Sequence, residues 1–221
     1  MKLTRFFGII AVFCIAIAIA MFTDLPLYKA YKAGDIKDFN EVEAGGLQNG
    51  DLVRGTADMN FGACAEEYST TFGIRTSKKS SKLYYVLWMD NNQLILYETA
   101  NADEFDTLDK QAEETSVFLD SQDDAAESGD DADIILPNTT LEIEGSVMSI
   151  PSSIEGYFRE WYDDDQSFDE NTEAVMIRKR DFSKLSWIPY IGIAAGAAGV
   201  VMLVLTIVFF VKAKRAQRYG Y

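Results

Sequence analysis

The longest apolar run in the chain lies near its C-terminus, from Trp187 to Val211, and four basic residues follow it. A helix of about 24 uncharged residues is roughly 36 Å long, which is enough to cross a hydrocarbon core of about 30 Å. The pattern therefore predicts a transmembrane helix over 187–211. The basic residues in the tail over 212–221 predict a cytoplasmic C-terminus, because Lys and Arg beside a span are retained inside.

A second apolar run, Phe6–Phe22, follows Lys2 and Arg5 near the N-terminus. Two interpretations of residues 1–23 are open. The basic start, the apolar centre and the sequence Ala18-Ile19-Ala20 are typical of a cleaved signal peptide. The run is also just long enough for a retained transmembrane helix. We favour retention, because small residues recur in both apolar runs.

These small residues fall at helical spacing and predict close contact between the two helices. In the first run they are Gly8, Ala11, Cys14 and Ala18. In the second run they are Gly192, Gly196 and Gly199, which include a GxxxG pattern. We expect the two spans to pack antiparallel. The glycine face also predicts contact with a protein partner or with a second copy of the chain.

Between the two runs, the apolar pattern predicts a domain over 51–186, preceded by a juxtamembrane segment over 24–50 consisting of a short helix and a linker. Strands are predicted at 51–59, 65–76, 82–90, 93–99, 141–150 and 174–177. The segment Leu83–Met89 is apolar on both faces, which predicts a central strand. The sequence Asp90-Asn91-Asn92-Gln93 predicts a tight type I′ hairpin turn after it.

Two helices are predicted to pack on these strands. Asn101 and Glu104 resemble a capping pair before a helix over 103–119. Ser152 and Glu155 form a capping-box pattern before the most amphipathic segment of the domain. The apolar positions of that segment are Ile154, Tyr157, Phe158, Trp161 and Tyr162.

The segment 120–133 lacks apolar anchors and repeats like charges, which predicts a mobile acidic loop. Together these elements predict an α+β fold. We expect a curved antiparallel-rich sheet or small barrel of about six strands with two packed helices. A transmembrane helix flanks this domain on each side.

Charge is distributed unevenly along the chain. All 35 acidic residues lie between Asp24 and Asp181, and the formal net charge of the whole chain is −15. Binding of nucleic acid or of an anionic lipid surface by the domain is disfavoured, because both require a positive patch. A basic island interrupts the acidic domain, and we interpret it as a solvated turn, with contact to a phosphate or an acidic polymer as the alternative. It consists of Arg75, Lys78, Lys79 and Lys82.

Cysteine and histidine content limits the chemistry. Cys14 lies in the first apolar run and Cys64 is alone in the domain, so no disulfide can form within the domain. We interpret Cys64 as a half-buried structural residue, with an intermolecular disulfide or a reactive thiol as alternatives. The chain has no histidine. This excludes Ser-His and Cys-His catalysis and every His-ligated metal site.

Carboxylates offer two weak patterns. A cluster follows the amphipathic segment, and oxygen ligands at this density suit calcium, although the spacing of an EF-hand is missing. Its members are Asp163, Asp164, Asp165, Asp169 and Glu170. Paired carboxylates also serve as acid and base in glycosidases. With 35 acidic residues, pairs arise without function, so we assign no catalytic, cofactor-binding or metal-binding residue.

The stretch EEYSTTFGIRTSKKSSKLYYVLWMD, Glu66–Asp90, resembles an uncharacterised family of small two-span membrane proteins from clostridial-type bacteria. The preceding DLVRGTADM and the terminal apolar runs extend this resemblance. It implies a bacterial origin, a retained first span and a domain outside the cytoplasm. It implies no activity, and therefore no catalytic residues.

These observations favour a non-catalytic, multi-pass protein of the cell membrane with both termini cytoplasmic and residues 24–186 outside. The acidic outer domain would serve protein interaction or envelope assembly. Its expected partners are the lipid bilayer and a protein or second copy, and no nucleic acid. Two alternatives stay open: an envelope hydrolase that uses carboxylates or Cys64, and a calcium-responsive binding module.

Overall fold

A computed structural model of the chain describes residues 2–71, 74–77, 80–128 and 135–219. The chain divides into two compact units. We call residues 1–33 with 182–221 the helical unit and Gly34–Asp181 the sheet domain. The helices are α1 (Lys2–Thr23), α2 (Leu25–Ala33), α3 (Ala102–Ser128), α4 (Ser152–Tyr162), α5 (Phe168–Asn171), α6 (Phe182–Leu185) and α7 (Ile188–Tyr219).

The strands all belong to the sheet domain. They are β1 (Ile36–Asp38), β2 (Leu52–Ala57), β3 (Asn60–Glu67), β4 (Thr70–Thr71), β5 (Ile74–Arg75), β6 (Lys82–Trp88), β7 (Leu94–Thr99), β8 (Leu141–Ser149) and β9 (Thr172–Lys179). Seven of them form one mixed sheet in the order β1-β2-β8-β9-β7-β6-β3, and β4 and β5 form a separate hairpin. The pairs β1–β2 and β7–β9 are parallel, and the other neighbours are antiparallel.

The sheet is open, so the α+β class is confirmed and the small barrel is wrong. The burial of side chains on both faces explains the open form of the sheet. Strands β6 and β7 bury almost every side chain on both sides, and a sheet that is apolar on both sides must be covered twice. An open sheet accepts a layer of helices on each face, and its edge strands β1 and β3, both within the described residues, do not pair with each other.

Two separate cores cover the faces of the sheet. The core beside α3 contains Leu108 together with inward residues of five strands, including Tyr85 and Tyr97. The core beside α4 and α5 contains Ile154, Phe158 and Phe168 with the opposite side chains of the sheet. The two predicted helices therefore pack on opposite faces, and the domain has three layers.

Helix α3 is longer than its predicted range of 103–119, because it continues through Ser128. The predicted mobile loop over 120–133 is therefore wrong for residues 120–128, while 129–133 lie outside the described residues. Once a helix has formed, each further residue that becomes helical adds one backbone hydrogen bond, so extension is far less costly than nucleation. A short acidic extension that contains two alanines can therefore continue a helix that is already packed. The Ser121 hydroxyl also accepts a hydrogen bond from the Ile135 amide.

The sheet domain begins at Gly34 rather than at residue 51. Strand β1 pairs with β2, and Phe39 is 1% exposed in the core beside α3. A Cβ at Gly55 would lie 2.7 Å from the Phe39 Cβ, so glycine at this position permits the close approach. The predicted short helix at the start of 24–50 is confirmed as α2, which belongs to the helical unit.

Strand β6 is interior to the sheet, next to an edge strand rather than at the centre. The turn after it has one residue with positive φ, Asn92 at 64°, among the described residues. A type I′ turn requires two, so that prediction is wrong and the turn is a longer one. The Met89 amide donates to the Gln93 carbonyl and closes it.

The remaining strand predictions hold with altered ends. The segment 65–76 divides between the end of β3 and the β4–β5 hairpin.

The capping-box prediction for α4 is wrong, because Pro151 occupies the N-cap position without a side-chain cap. Glu155 instead pairs with Arg159 one turn later, at 3.2 Å.

Candidate functional site

Cys64 lies on β3 at the margin of the core beside α4, where it is half-buried. Burial raises the pKa of its thiol to about 12. The thiol is therefore protonated at neutral pH, whereas a nucleophilic cysteine must be a thiolate. This environment matches the structural interpretation of Cys64.

The acidic cluster after α4 does not converge on one point. Asp163 ends the helix with a φ of 59°, and its amide donates to the Arg159 carbonyl. Asp164 accepts hydrogen bonds from the Ser167 hydroxyl and the Gln166 amide, which lower the pKa of its carboxyl. Asp169 lies 2.7 Å from the Arg159 guanidinium. Among the described residues, no group of three His, Cys, Asp or Glu could hold a metal ion.

The basic island is divided by the structure. The Arg75 guanidinium lies over the Tyr68 ring, 3.3 Å from its centroid, and donates to the Ser77 carbonyl. Lys82 lies 3.3 Å from both Glu67 and Glu98. Lys78 and Lys79 lie outside the described residues. In the described part of the island, the cations are engaged by local partners, as expected for a structural turn.

An ion network centred on the buried Glu98 crosses the sheet where β7 and β9 end, and sequence reasoning missed it. Glu98 is 4% exposed and accepts two hydrogen bonds from the Arg178 guanidinium, each 2.9 Å long. Lys82 joins Glu98 to Glu67, and the Tyr84 hydroxyl donates to Glu67 at 2.7 Å. The sequence signal was a glutamate inside the otherwise apolar strand β7.

Glu67 and Glu98 share one cation, but this pair does not have the properties of a glycosidase acid and base. The general acid of such a pair needs a raised pKa. The hydrogen bond from Tyr84, with help from Lys82, instead lowers the pKa of Glu67. Arg178 neutralises Glu98 through both carboxylate oxygens. The arrangement is that of a structural ion pair.

A second network lies on the other face of the sheet, around Glu104 at the start of α3. Its carboxylate lies 2.7 Å from Lys179 and accepts from the Thr99 hydroxyl at 2.8 Å and from the Tyr97 hydroxyl at 3.3 Å. Glu104 therefore links helix α3 to the ends of β7 and β9 rather than capping Asn101. Burial first, and then Glu104, raise the pKa of Tyr97. This tyrosine stays protonated and serves as a hydrogen-bond donor.

The small residues of the helical unit face one another, as predicted. Ala11 and Ala18 are 3% and 7% exposed. A Cβ at Gly196 would lie 3.8 Å from the Ala18 Cβ, and one at Gly199 would lie 2.9 Å from the Ile15 side chain. The glycine face of α7 therefore contacts α1 of the same chain in an antiparallel arrangement.

Comparison with known proteins identifies a family without an assigned activity. No curated protein and no solved structure matches the chain. A family model matches residues 1–212, which include both apolar runs and the whole sheet domain. The resemblance to an uncharacterised family is thereby confirmed, while its two-span membrane nature and clostridial origin stay predictions. Because the match covers more than half of its length, the chain belongs to the family described as a domain of unknown function (DUF8577).

Proposed function

We propose that this protein is a non-catalytic, two-span membrane protein whose acidic sheet domain lies outside the cytoplasm and binds a basic protein partner. The observation that carries the membrane assignment is the packing of the helical unit. Two helices, Arg5–Thr23 and Ile188–Arg215, are long and apolar enough to cross a membrane. They bury small residues and expose large apolar ones, which is favourable when the surroundings are lipid.

The packing of α1 supports its retention in the mature protein. Phe7 stacks on Phe209 with ring centroids 5.5 Å apart, and Gly8 approaches Thr206 at the same end. At the other end Met21 lies 3.3 Å from a Cβ built on Gly192. Cleavage near Ala20 would remove the surface on which α7 packs. We therefore propose that both helices belong to the mature protein.

The proposed orientation rests on the basic residues near the ends of the helices. Lys2 and Arg5 precede the first span, and Lys212, Lys214 and Arg215 follow the second. Retention of such residues inside would leave both termini cytoplasmic and the domain outside. Arg178, Lys179, Arg180 and Lys184 precede the second span and oppose this bias there, so the orientation needs a direct test.

Helix α3 presents the surface that we propose for the partner. Its inner face carries Leu108 and Phe118. Its outer face carries Asp106, Glu113 and Asp120, spaced seven residues apart, and all three are exposed. Within the described residues none of the three forms an ion pair closer than 4 Å. A row of uncompensated carboxylates attracts and orients a basic protein surface.

A charge-neutralising variant of this row tests the proposal. The tagged protein would be purified in mild detergent after cross-linking in cells, and partners would be quantified by mass spectrometry. We expect a stoichiometric partner with a basic surface that is lost in the triple variant Asp106→Asn, Glu113→Gln, Asp120→Asn. The matched triple variant Asp58→Asn, Glu142→Gln, Asp165→Asn changes the same charge elsewhere and should retain the partner.

Two results would contradict this account. Recovery of a clean monomer without any partner would argue against a binding function. Equal partner recovery from both triple variants would show that the partner does not bind to the outer face of α3. Self-association through Gly192, Gly196 and Gly199 was the sequence-based alternative, and we do not adopt it because α1 of the same chain covers that face.

A further inference from the structure

One end of the helical unit contains a pocket of about 260 Å³. Helix α2 forms one wall, and the junction of α6 and α7 forms the other. The lining residues are Tyr28, Tyr31, Lys32, Ser186, Trp187 and Tyr190. All of them belong to the helical unit, and the pocket lies at the level where α1 ends and α7 begins.

Local structure explains how these side chains meet. Tyr28, Tyr31 and Lys32 share one face of α2, because positions three and four apart are neighbours on a helix. The Tyr31 ring packs on Phe182, which is 1% exposed, with centroids 5.9 Å apart. Trp187 and Tyr190 lie edge to face at 6.3 Å beside the first turn of α7. Packing on Phe182 therefore holds the Tyr31 ring in place, whereas Trp187 and Tyr190 are 63% and 67% exposed and contact each other.

The lining differs in chemistry from the rest of this acidic chain. No lining residue is Asp or Glu. The polar groups that these residues carry are the ammonium of Lys32, the indole N–H of Trp187 and the hydroxyls of Ser186 and the tyrosines. The hydroxyls can donate as well as accept, and that of Ser186 already donates to the Ser183 carbonyl. Such a set complements an anion. Aromatic residues that serve only as interfacial anchors need neither a concave site nor a cation within it.

We propose that this pocket binds the phosphate of a phospholipid headgroup, with Lys32 as its cationic partner. The proposal rests on the membrane placement argued under Proposed function. That placement puts the ends of the two spans, and hence the pocket, in the headgroup layer. The acyl chains would then run along the exposed apolar side chains of α7, such as Ile191 and Ile193.

The test measures lipid binding to the full chain purified in mild detergent, by native mass spectrometry. The probes are short-chain phosphatidylglycerol and a diglucosyl diacylglycerol of the same chain length, which lacks phosphate. We expect wild type to prefer the phospholipid and Lys32→Gln to bind it about tenfold more weakly, since a charge-assisted hydrogen bond contributes on this scale. Lys32→Arg should retain binding.

A matched control uses the neighbouring lysine of the same helix. Lys29→Gln removes the same charge one turn earlier at a residue that does not line the pocket, so it should bind like wild type. Equal binding of both lipids, or equal loss in the two glutamine variants, would overturn phosphate recognition at Lys32. Displacement of the lipid by excess inorganic phosphate would show a free-phosphate site and overturn the assignment to lipid.

A separate experiment, alkaline carbonate extraction, tests whether the protein spans the membrane. Wild type should stay in the membrane fraction during alkaline carbonate extraction. Release in that step would contradict the two spans, whereas the short-chain probes would still report on the pocket. Retention in the membrane together with absent phospholipid preference would contradict the pocket alone.

Discussion

The two units of this protein bury opposite kinds of side chain. The sheet domain encloses its bulkiest residues, among them Tyr84, Tyr85, Tyr97 and Phe158, which are at most 1% exposed. The long helices α1 and α7 of the helical unit enclose Ala11 and Ala18 and leave most of their large apolar residues on the outside, although the short helix α6 buries Phe182 and Leu185. Most of the exposed large apolar side chains among the described residues belong to the helical unit.

This contrast supports the proposal that the two units fold in different solvents. In water, the free energy of folding comes from removing large apolar side chains from the solvent, as the sheet domain does. In a lipid environment that gain vanishes, and close backbone approach through small residues becomes the source of helix association. The same chain therefore uses large residues for packing in one unit and small residues in the other.

The largest effect is expected from removing a large side chain in the sheet domain. Phe158→Ala should lower the free energy of unfolding by about 3–5 kcal/mol, because it leaves a cavity between α4 and the sheet. Tyr157→Ala, the adjacent residue at 55% exposure, should change it by about 0.5 kcal/mol or less. Denaturant titration of the full chain in detergent, followed by tryptophan fluorescence, measures both. Similar losses for the two variants would contradict the assignment of α4's buried face.

In the helical unit, enlarging a small residue should be the harmful change. Gly199→Ala adds a methyl group that meets Ile15 at 2.9 Å, so we expect a loss of about 1–3 kcal/mol through forced separation of the helices. Gly196→Ala meets its nearest neighbour at 3.8 Å, an ordinary contact, and should be tolerated. Unfolding in sodium dodecyl sulfate, monitored by helical circular dichroism, distinguishes them. Two equally stable variants would mean that the helices do not pack through this face.

Lowering the pH should reduce the stability of the sheet domain by a smaller amount. The amides of Thr139 and Asn138 donate to Glu114 and lower the pKa of its carboxyl. Because the folded pKa lies below the unfolded value of about 4.3, this stabilisation is present above that value and is lost as the pH falls through the folded pKa. Glu114→Gln should therefore lose less stability than wild type between about pH 7 and pH 3.

The control for the acid experiment is Glu113→Gln, which alters the exposed neighbouring residue. It should follow the wild-type curve in denaturant titrations at both pH values. If Glu114→Gln also follows that curve, the contact between α3 and the segment before β8 does not depend on the Glu114 charge.

Local sequence patterns predicted the elements well where one periodicity dominates. The two-sided apolar run at Leu83–Met89 became an interior strand, and the spacing from Ile154 to Trp161 became α4. Small residues at helical spacing correctly predicted the contact between α1 and α7. In each of these segments, the residues that determine the structure are close together in sequence.

The features that could not be predicted depend on residues far apart in sequence. The parallel pairing of β7 with β9 joins residues separated by about 80 positions, with α3, β8 and α4 between them. The Glu98–Arg178 pair exists only because of that pairing. A glutamate within the apolar strand β7 marks Glu98 as unusual, but no local pattern identifies Arg178 as its partner, and none decides between an open sheet and a barrel. The extension of α3 likewise depends on a helix already packed on the sheet.

Surface labelling of intact cells tests the central claim, that two membrane spans hold the acidic domain outside the cytoplasm. The background would be Cys14→Ser, Cys64→Ser, with a single cysteine introduced as Gln122→Cys on the exposed surface of α3 or as Gln217→Cys in the basic tail. We expect a membrane-impermeant maleimide to label Gln122→Cys on intact cells and Gln217→Cys only after lysis. Labelling of Gln122→Cys only after lysis would contradict the account, because the acidic domain would then be cytoplasmic.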